Sequence, residues 1–441
     1  MESYRPISLI SSFAKIFEKI IYERLISFFS AKNILSNSQH GFRTKLSTIT
    51  AIFQFITNVY GIIDTSNVGL GVFLDLSKAF DNVNHKLLLN KLENYGVRGN
   101  VHNLLDSYLR DRIQKVNIAK NGHEYLSNEK KIACGVPQGS ILGPLLFLVY
   151  INDLSYNIKK TDSHIINYAD DTSVLIQGQN LKDLSEKLNF ILPEFRTWFH
   201  TNGLKLNENK THLMLFHHIN NNNNYVKKVV LDKTTLNLEP HVNFLGVEID
   251  ENLTWNYHFE SITKKLSTVC YMLRELKKVV NLETLLSCYY GHFFSILKYG
   301  IMFWGNSDNN QVFVMQKRAM RIIAGLKMTD SCRGVFKKYN ILTKTGLYIY
   351  ECLCFHQQHK NYFQKALISE SCTRKTEIYR YPRHRTTLFE NSCYYQSLKL
   401  YNSLPQNYRA MQLSVFKKQV KHKLVKAELY TLKEFSRIIF I

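Results

Sequence analysis

Acidic residues are scarce in this 441-residue chain, with 35 Asp and Glu against 57 Lys and Arg, so the net charge is +22. A surplus of that size usually faces polyanions, nucleic acid first and an anionic membrane surface second. No run of eighteen apolar residues occurs, which excludes an ordinary membrane-spanning helix. The opening Met1-Glu2-Ser3-Tyr4-Arg5-Pro6 has neither the basic segment nor the apolar core of a signal peptide. The eight cysteines (Cys134, Cys270, Cys288, Cys332, Cys352, Cys354, Cys372 and Cys393) form no Cys-x-x-Cys pair. They fit small core residues in a reduced intracellular compartment. Cys352, Cys354 and His356 lie close together, but not at the spacing of a zinc module. No internal repeat is evident. What the chain does have is apolar bulk: 45% hydrophobic and 13% aromatic residues, enough for two or three domains with a large core.

Periodicity divides that bulk. Phe13, Ile16, Phe17, Ile20, Ile21, Leu25 and Phe28 recur at helical steps and predict an amphipathic helix capped by Ser11 or Ser12. A loop with two cations, Gln39-His40-Gly41-Phe42-Arg43-Thr44-Lys45, precedes a second helix over 49–59; such a loop is either solvated or a phosphate clamp. Residues 68–74 read as a buried strand, and Asn121-Gly122 as the turn of a hairpin flanked by 114–119 and 125–133. Helices are predicted around Leu87–Leu92, Val101–Tyr108 and Leu181–Trp198, and strands over 211–216 and 242–249. The Asn run at 220–224 suits an exposed loop. From about Thr254 the pattern turns helical, with segments over 259–276, 282–297 and 312–326, which sets a domain boundary near Glu251. A third, basic region starts near Asp330. It carries Arg380, Arg383 and Arg385, then a final helix with Lys417, Lys418, Lys421, Lys423 and Lys426; these runs are solvated faces or nucleic-acid contacts.

The sequence is organised around Asn167-Tyr168-Ala169-Asp170-Asp171-Thr172, two adjacent acids between the apolar runs Ile165-Ile166 and Val174-Leu175-Ile176. This predicts a hairpin with carboxylates at its tip. By itself the pair fits a solvated turn as well as a site for a hard cation such as Mg²⁺, which takes one or two carboxylates plus substrate phosphates. Asp75, 95 residues before Asp170, closes the buried strand at 68–74, where an unpaired buried carboxylate is costly. If the two strands are neighbours in one sheet, the three acids match what phosphoryl transfer at a polynucleotide end requires: two metal ions about 4 Å apart, bridged by carboxylates. Gly135-Val136-Pro137-Gln138-Gly139-Ser140 offers a loop where the backbone can approach a ligand, with Gln138 its one long polar side chain.

These residues carry a resemblance. In order along the chain stand Tyr4-Arg5-Pro6-Ile7-Ser8-Leu9, Gln39-His40-Gly41-Phe42-Arg43, and Leu74-Asp75-Leu76-Ser77-Lys78-Ala79-Phe80-Asp81. Gly135-Val136-Pro137-Gln138-Gly139-Ser140, Tyr168-Ala169-Asp170-Asp171, Gly203-Leu204-Lys205-Leu206-Asn207 with Lys210-Thr211, and Phe244-Leu245-Gly246-Val247 follow. Together they resemble the reverse transcriptases of non-LTR (LINE-type) retrotransposons, particularly the Jockey-like elements of arthropods.

The resemblance implies an α+β right-hand polymerase with an antiparallel-sheet palm, partial fingers and a helical thumb. Fingers and palm would occupy residues 1–251, the thumb 252–329 and a basic C-terminal region 330–441. It implies an RNA-directed DNA polymerase that adds dNTPs to a primer 3′-hydroxyl. Asp75, Asp170 and Asp171 would hold two Mg²⁺ ions, with Mn²⁺ as a substitute. Lys210 would act as general acid toward pyrophosphate. Arg43 and Lys45 would hold the triphosphate, with Leu76, Phe80 and Gln138 completing the nucleotide site and Phe80 excluding a ribose 2′-hydroxyl. Phe244, Leu245 and Gly246 would grip the primer. The partners implied are an RNA template, a DNA primer and dNTPs, with no membrane. The family usually carries an endonuclease ahead of the polymerase. Here none is visible, so the chain reads as N-terminally truncated, with nicking supplied elsewhere. Tyr401-Asn402-Ser403-Leu404-Pro405 resembles the family's tail, without a Cys/His knuckle. The expected location is intracellular, in the nucleus, with a cytoplasmic ribonucleoprotein as a second station. Two competing readings are a truncated, non-catalytic nucleic-acid-binding remnant and an RNA-dependent RNA polymerase; Phe80 speaks against the second.

Overall fold

Four antiparallel strands form the sheet around which the first part of the chain is built. The computed structural model describes residues 7–158, 162–207, 210–218, 228–231, 234–307, 310–365 and 379–438. The expectations for residues 4–6, the loop at 220–224 and Cys372 fall outside them. Packing separates the chain into two units, residues up to 58 with 67–239, and residues 59–66 with 240 onward.

In the first unit, α1 (Ser12–Ala31) and α2 (Thr48–Asp64) precede β1 (Val68–Leu74) and β2 (Leu76–Ser77). Next come α3 (His85–Asn94), α4 (Asn100–Leu109), the short strands β3 (Ile113–Gln114), β4 (Asn117–Lys120), β5 (His123–Leu126) and β6 (Lys130–Lys131), then α5 (Leu142–Ile151) and α6 (Leu154–Asn157). The unit continues with β7 (Ser163–Tyr168), β8 (Asp171–Gly178), α7 (Leu181–Thr201), β9 (Lys205–Leu206), β10 (His212–Phe216), β11 (Lys228–Leu231) and β12 (Thr234–Asn237).

The main sheet has the order β10-β1-β8-β7. Every residue of β1 is buried, as its unbroken apolar run requires of a strand covered on both faces. One cover is α7, whose Leu188, Ile191, Leu192 and Phe195 pack toward Val72, Leu74, Val174 and Ile176. Asn121 and Gly122, both left-handed (φ 52° and 79°), make the tight turn between β4 and β5 that their sequence predicts. The amphipathic reading of α1 holds for its second half, where Leu25 is buried and Ile21 and Phe28 pack on the core; it is corrected for Phe13, Ile16, Phe17 and Ile20, which are exposed, while Glu18 and Phe29 are buried. Ser11 occupies its N-cap position without a side-chain cap bond.

In the second unit, β13 (His241–Phe244) and β14 (Val247–Asp250) precede α8 (Asn256–Leu276), α9 (Leu282–Cys288), α10 (Ser295–Lys298), α11 (Ile301–Trp304) and α12 (Gln311–Ala324). Then follow α13 (Val335–Lys338), α14 (Lys344–Gln358), α15 (Thr387–Glu390), α16 (Cys393–Asn402), α17 (Gln406–Arg409) and α18 (Leu413–Ala427). The single strand predicted over 242–249 is a hairpin. Leu245 and Gly246 are consecutive left-handed residues (φ 48° and 86°), and Asn243 Oδ1 accepts from the Gly246 amide at 3.1 Å. The helix predicted over 282–297 contains a π-helical turn, Tyr289–Phe294, which stacks the buried rings of Tyr289 and Phe293 at 5.2 Å. Phe416, Val420 and Leu424 of α18 are buried, and this helix packs on α14. The Asp64 carboxylate accepts from the backbone of Arg385 and Thr386 and from the Thr386 hydroxyl at 2.8–3.1 Å, so the basic loop at 380–386 is tied at its end. The cysteines of the described residues carry no disulfide. No helix among these residues is long and apolar enough to cross a membrane.

Candidate active site

The register of β1 against β8 decides where the carboxylates lie. Leu74, the last residue of β1, pairs with Thr172, so the ladder ends at the residues next to Asp75 and Asp171. Tyr168 pairs with Asp171 across β7 and β8, leaving Ala169 and Asp170 as a two-residue turn, with Ala169 left-handed at φ 55°. The β1–β8 ladder and the β7–β8 turn thus end next to Asp75, Asp170 and Asp171 in the chain.

The chain around Asp75 is fixed by a second, smaller pairing. Leu76 is 5% exposed and pairs with Leu206, which brings the start of the 207–211 segment back to Asp75. The Asn207 amide donates to the Asp75 carbonyl at 2.8 Å, and Asn207 Nδ2 to Asp75 Oδ2 at 3.2 Å. Lys210 Nζ stands 4.0 Å from the same oxygen on a side chain 70% exposed. A pair this open to water contributes little to stability, and its lysine can move toward a ligand. Asn207 was in the quoted motif without a role; its contact with Asp75 depends on the β2–β9 pairing, which no local pattern announces.

Phe80 follows on a 3-10 turn, Ala79–Asn82, entered through the left-handed Lys78. Its ring stacks on Phe147 of α5 at 4.3 Å and meets Phe42 edge-on at 6.3 Å. Gln138 Nε2 donates to Asp81 Oδ1 at 2.8 Å. The backbone at Gly135 passes so close to Asp81 that a Cβ there would meet its carbonyl oxygen at 2.8 Å, and Gly135 has φ 91°. The loop at 135–140 is therefore docked on the turn that carries Phe80. Arg43 Nη1 donates to the carbonyls of Ser36 and Gln39, whereas Lys45 is exposed. Phe42 and Lys45 are both left-handed, a costly state for side chains of this size. His40, between them and β7, is held neutral: burial lowers its pKa to about 4, against the rise that the Gln54 bond favours.

Phe244, Leu245 and Gly246 belong to the second unit, at the turn of the β13–β14 hairpin. The Tyr299 hydroxyl donates to the Leu245 carbonyl, and its ring lies 3.2 Å from where a Gly246 Cβ would stand.

A sequence profile described as reverse transcriptase (RNA-dependent DNA polymerase) matches residues 1–249. The chain belongs to the reverse transcriptase family. Its relatives among curated proteins include, in Drosophila melanogaster, the RNA-directed DNA polymerases from transposon BS, the X-element and mobile element jockey. The BS protein is 31% identical over 339 residues, 73% of this chain. The X-element and jockey proteins are 28% and 27% identical over 73% and 74% of this chain. The chain spans 36% of the length of each of these three relatives. Among solved structures, an apo telomerase from Candida tropicalis aligns over 78% of this chain and 60% of its own at 14% identity. Its TM-score of 0.35 is too low to inform the fold.

Reverse transcriptases work through divalent-metal chemistry, so the donor set needs a test. Hard cations take oxygen ligands, often one or two carboxylates with substrate phosphates supplying the rest. Among the described residues no three His, Cys, Asp or Glu side chains gather at metal-holding spacing. Asp75, Asp170 and Asp171 are carboxylates of the type such a cation takes, at the ends of paired strands.

Proposed function

We propose that the chain is an RNA-directed DNA polymerase of a non-LTR retrotransposon, extending a DNA primer on an RNA template with dNTPs. The observation that supports this reading is the β1–β8 register, which pairs Leu74 with Thr172, the neighbours of Asp75 and Asp171, within the stretch the family profile covers. In this reading residues 1–251 are palm and partial fingers, 252–329 the thumb and 330–441 a basic C-terminal region. An endonuclease supplied elsewhere nicks the target, and the product is made in the nucleus.

Asp75, Asp170 and Asp171 hold two Mg²⁺ ions, for which Mn²⁺ can substitute. When bound, such ions make the primer 3′-hydroxyl a better nucleophile and neutralise the departing pyrophosphate. Asp75 is oriented by Asn207, so its free lone pairs stay directed toward the nucleotide. Lys210, beside Asp75 and open to solvent, donates a proton to the leaving pyrophosphate oxygen. Arg43 and Lys45 bind the triphosphate, Arg43 exchanging backbone carbonyls for phosphate oxygens. Leu76 and Gln138 border the base and sugar, and Phe80 fills the space of a 2′-hydroxyl. Phe244, Leu245 and Gly246 hold the primer end. Positioning and charge neutralisation supply most of the rate.

The test is primer extension on an RNA template with Mg²⁺ and dNTPs. Asp170→Ala and Asp75→Ala should each lower the extension rate by at least about a hundredfold while leaving primer–template binding in place. Equal extension by Asp170→Ala sinks the assignment. Salt-sensitive RNA binding without incorporation by the unmodified chain identifies the non-catalytic remnant instead.

A further inference from the structure

The turn that presents Asp170 is held by a residue far from it in sequence. Residues 38–41 run beside the end of β7: the Asn167 amide donates to Ser38 O and the His40 amide to Asn167 O, both at 2.8 Å. Between these two bonds sits Gln39, 2% exposed. Its Oε1 accepts from the amides of Gly41 at 2.8 Å and Ala169 at 3.0 Å, and its Nε2 donates to the Ala169 carbonyl at 3.3 Å. The approach is close enough that a Cβ on Gly41 would lie 2.4 Å from the Ala169 nitrogen.

Ala169 is the residue immediately before Asp170. It is left-handed, and it is 6% exposed, so water does not satisfy its backbone. In a two-residue hairpin turn the ladder leaves these backbone groups unpaired, and burying them unsatisfied is unfavourable. One carboxamide offers both an acceptor and a donor, and it meets both groups at once. The two amides that point at Oε1 also fix which end of the carboxamide is oxygen. The same loop is fastened elsewhere. His40 bonds Thr50 and Gln54 of α2 at 2.9 and 2.8 Å, and Arg43 donates to the Gln39 carbonyl at 3.2 Å.

We propose that Gln39 is a positioning residue for Asp170: its buried carboxamide clamps both backbone groups of Ala169 in the left-handed turn and so fixes the apex from which Asp170 projects. Through the Arg43 bond to its carbonyl, Gln39 also joins the triphosphate-facing loop and the carboxylate turn into one hydrogen-bonded unit. The inference rests on the polymerase reading only for the consequence in rate; the clamp itself is a structural claim.

Two measurements on the full 441-residue chain test it. In Gln39→Ala, amide hydrogen exchange at Ala169 and Gly41 should speed up at least about tenfold, while the amides of β1 and β8 keep their protection. In primer extension, kcat should fall about 10- to 100-fold, with dNTP KM and primer–template affinity within about twofold of the unmodified chain. Retained protection of β1 and β8 secures the test against misfolding. Gln39→Glu keeps the two accepted bonds but turns an oxygen toward the Ala169 carbonyl, so it should keep Gly41 protected while exchange at Ala169 speeds up and kcat falls as in Gln39→Ala. A chain that extends primers equally well with Gln39→Ala overturns the inference, as does unchanged exchange at Ala169 in that variant. If the unmodified chain extends nothing, the polymerase reading fails, and the exchange arm still decides the clamp.

Discussion

Phe80 shows how much one side chain depends on its neighbours. In the proposed reading its place in Leu74-Asp75-Leu76-Ser77-Lys78-Ala79-Phe80-Asp81 makes it the gate, and a gate selects only if the ring is held still. The stack on Phe147 and the edge contact with Phe42 hold it from two sides. Such aromatic pairs contribute about 0.5–1.5 kcal/mol each beyond burial. Truncating the ring opens the space a 2′-hydroxyl needs. Phe80→Ala should therefore raise the ratio of ribonucleotide to deoxynucleotide kcat/KM at least about tenfold, a change worth 1.4 kcal/mol. Single-nucleotide incorporation with each substrate measures it, and an unchanged ratio refutes the gate. The motif made Phe80 legible. Phe147 was not, because nothing in the apolar run at 141–154 distinguishes the residue that meets Phe80 from its equally buried neighbours.

Among the elements, α1 departs furthest from its pattern. Helical spacing picks out Phe13, Ile16, Phe17, Ile20, Ile21, Leu25 and Phe28 as the inward face, yet only the last three meet the core, and in the first half the helix turns Glu18 inward. At the start of α5 the Ser140 hydroxyl accepts from the Gly143 amide at 2.8 Å, which leaves the preceding amides of the helix start to be met from outside the helix. Glu18 Oε2 accepts from the amides of Ile141 at 2.6 Å and Leu142 at 3.3 Å, and Oε1 accepts from the Tyr108 hydroxyl at 3.0 Å. A carboxylate from another helix thus satisfies backbone donors that a helix start leaves open, and it meets the positive end of the helix dipole. Glu18→Ala leaves those groups buried without an acceptor and should cost about 2–3 kcal/mol, with Glu18→Gln costing less. Urea unfolding read by a probe in the first unit checks this; a loss under about 0.5 kcal/mol would show the cap to be dispensable. Elsewhere the local signals succeeded or failed for a visible reason. Asn121-Gly122 announced its turn. Leu245-Gly246 did not, because a leucine at positive φ is uncommon and the flanking apolar residues read straight through it.

For the whole molecule, buried histidines contribute to the response to acid, and His359 is lowered by burial together with the three that shift most. Burial lowers His40 and His258 to about 4 and His356 to about 3, from an ordinary 6.5. His356 lies between the rings of Phe363 and Tyr401, each at 3.9 Å, with neither ring nitrogen hydrogen-bonded. The unfolded chain takes up these protons near pH 6.5, whereas the folded one resists until about pH 4 or 3. Unfolding therefore binds protons throughout that window, so stability is complete above about pH 6.5 and declines as pH falls toward 4. His356→Phe keeps the stacked plane and removes the titrating group. The fall in denaturation midpoint between pH 7 and 4.5 should be smaller in this variant than in the unmodified chain. An identical fall would show that the proton uptake lies elsewhere.

Motif order, strand and helix periods and the surplus of cations were all written locally, so the sequence by itself determined the family, the main elements and the residues to suspect. Tertiary structure alone decided which of them meet. Leu74 meets Thr172 because β1 pairs with β8 in one register, and a one-residue slip would send every side chain of the strand to the other face. Glu18 turns inward to the amides of Ile141 and Leu142, and Gln39 matters because the end of β7 lies beside it. Long-range pairing and the satisfaction of buried backbone groups depend on topology, and no window of sequence contains both partners.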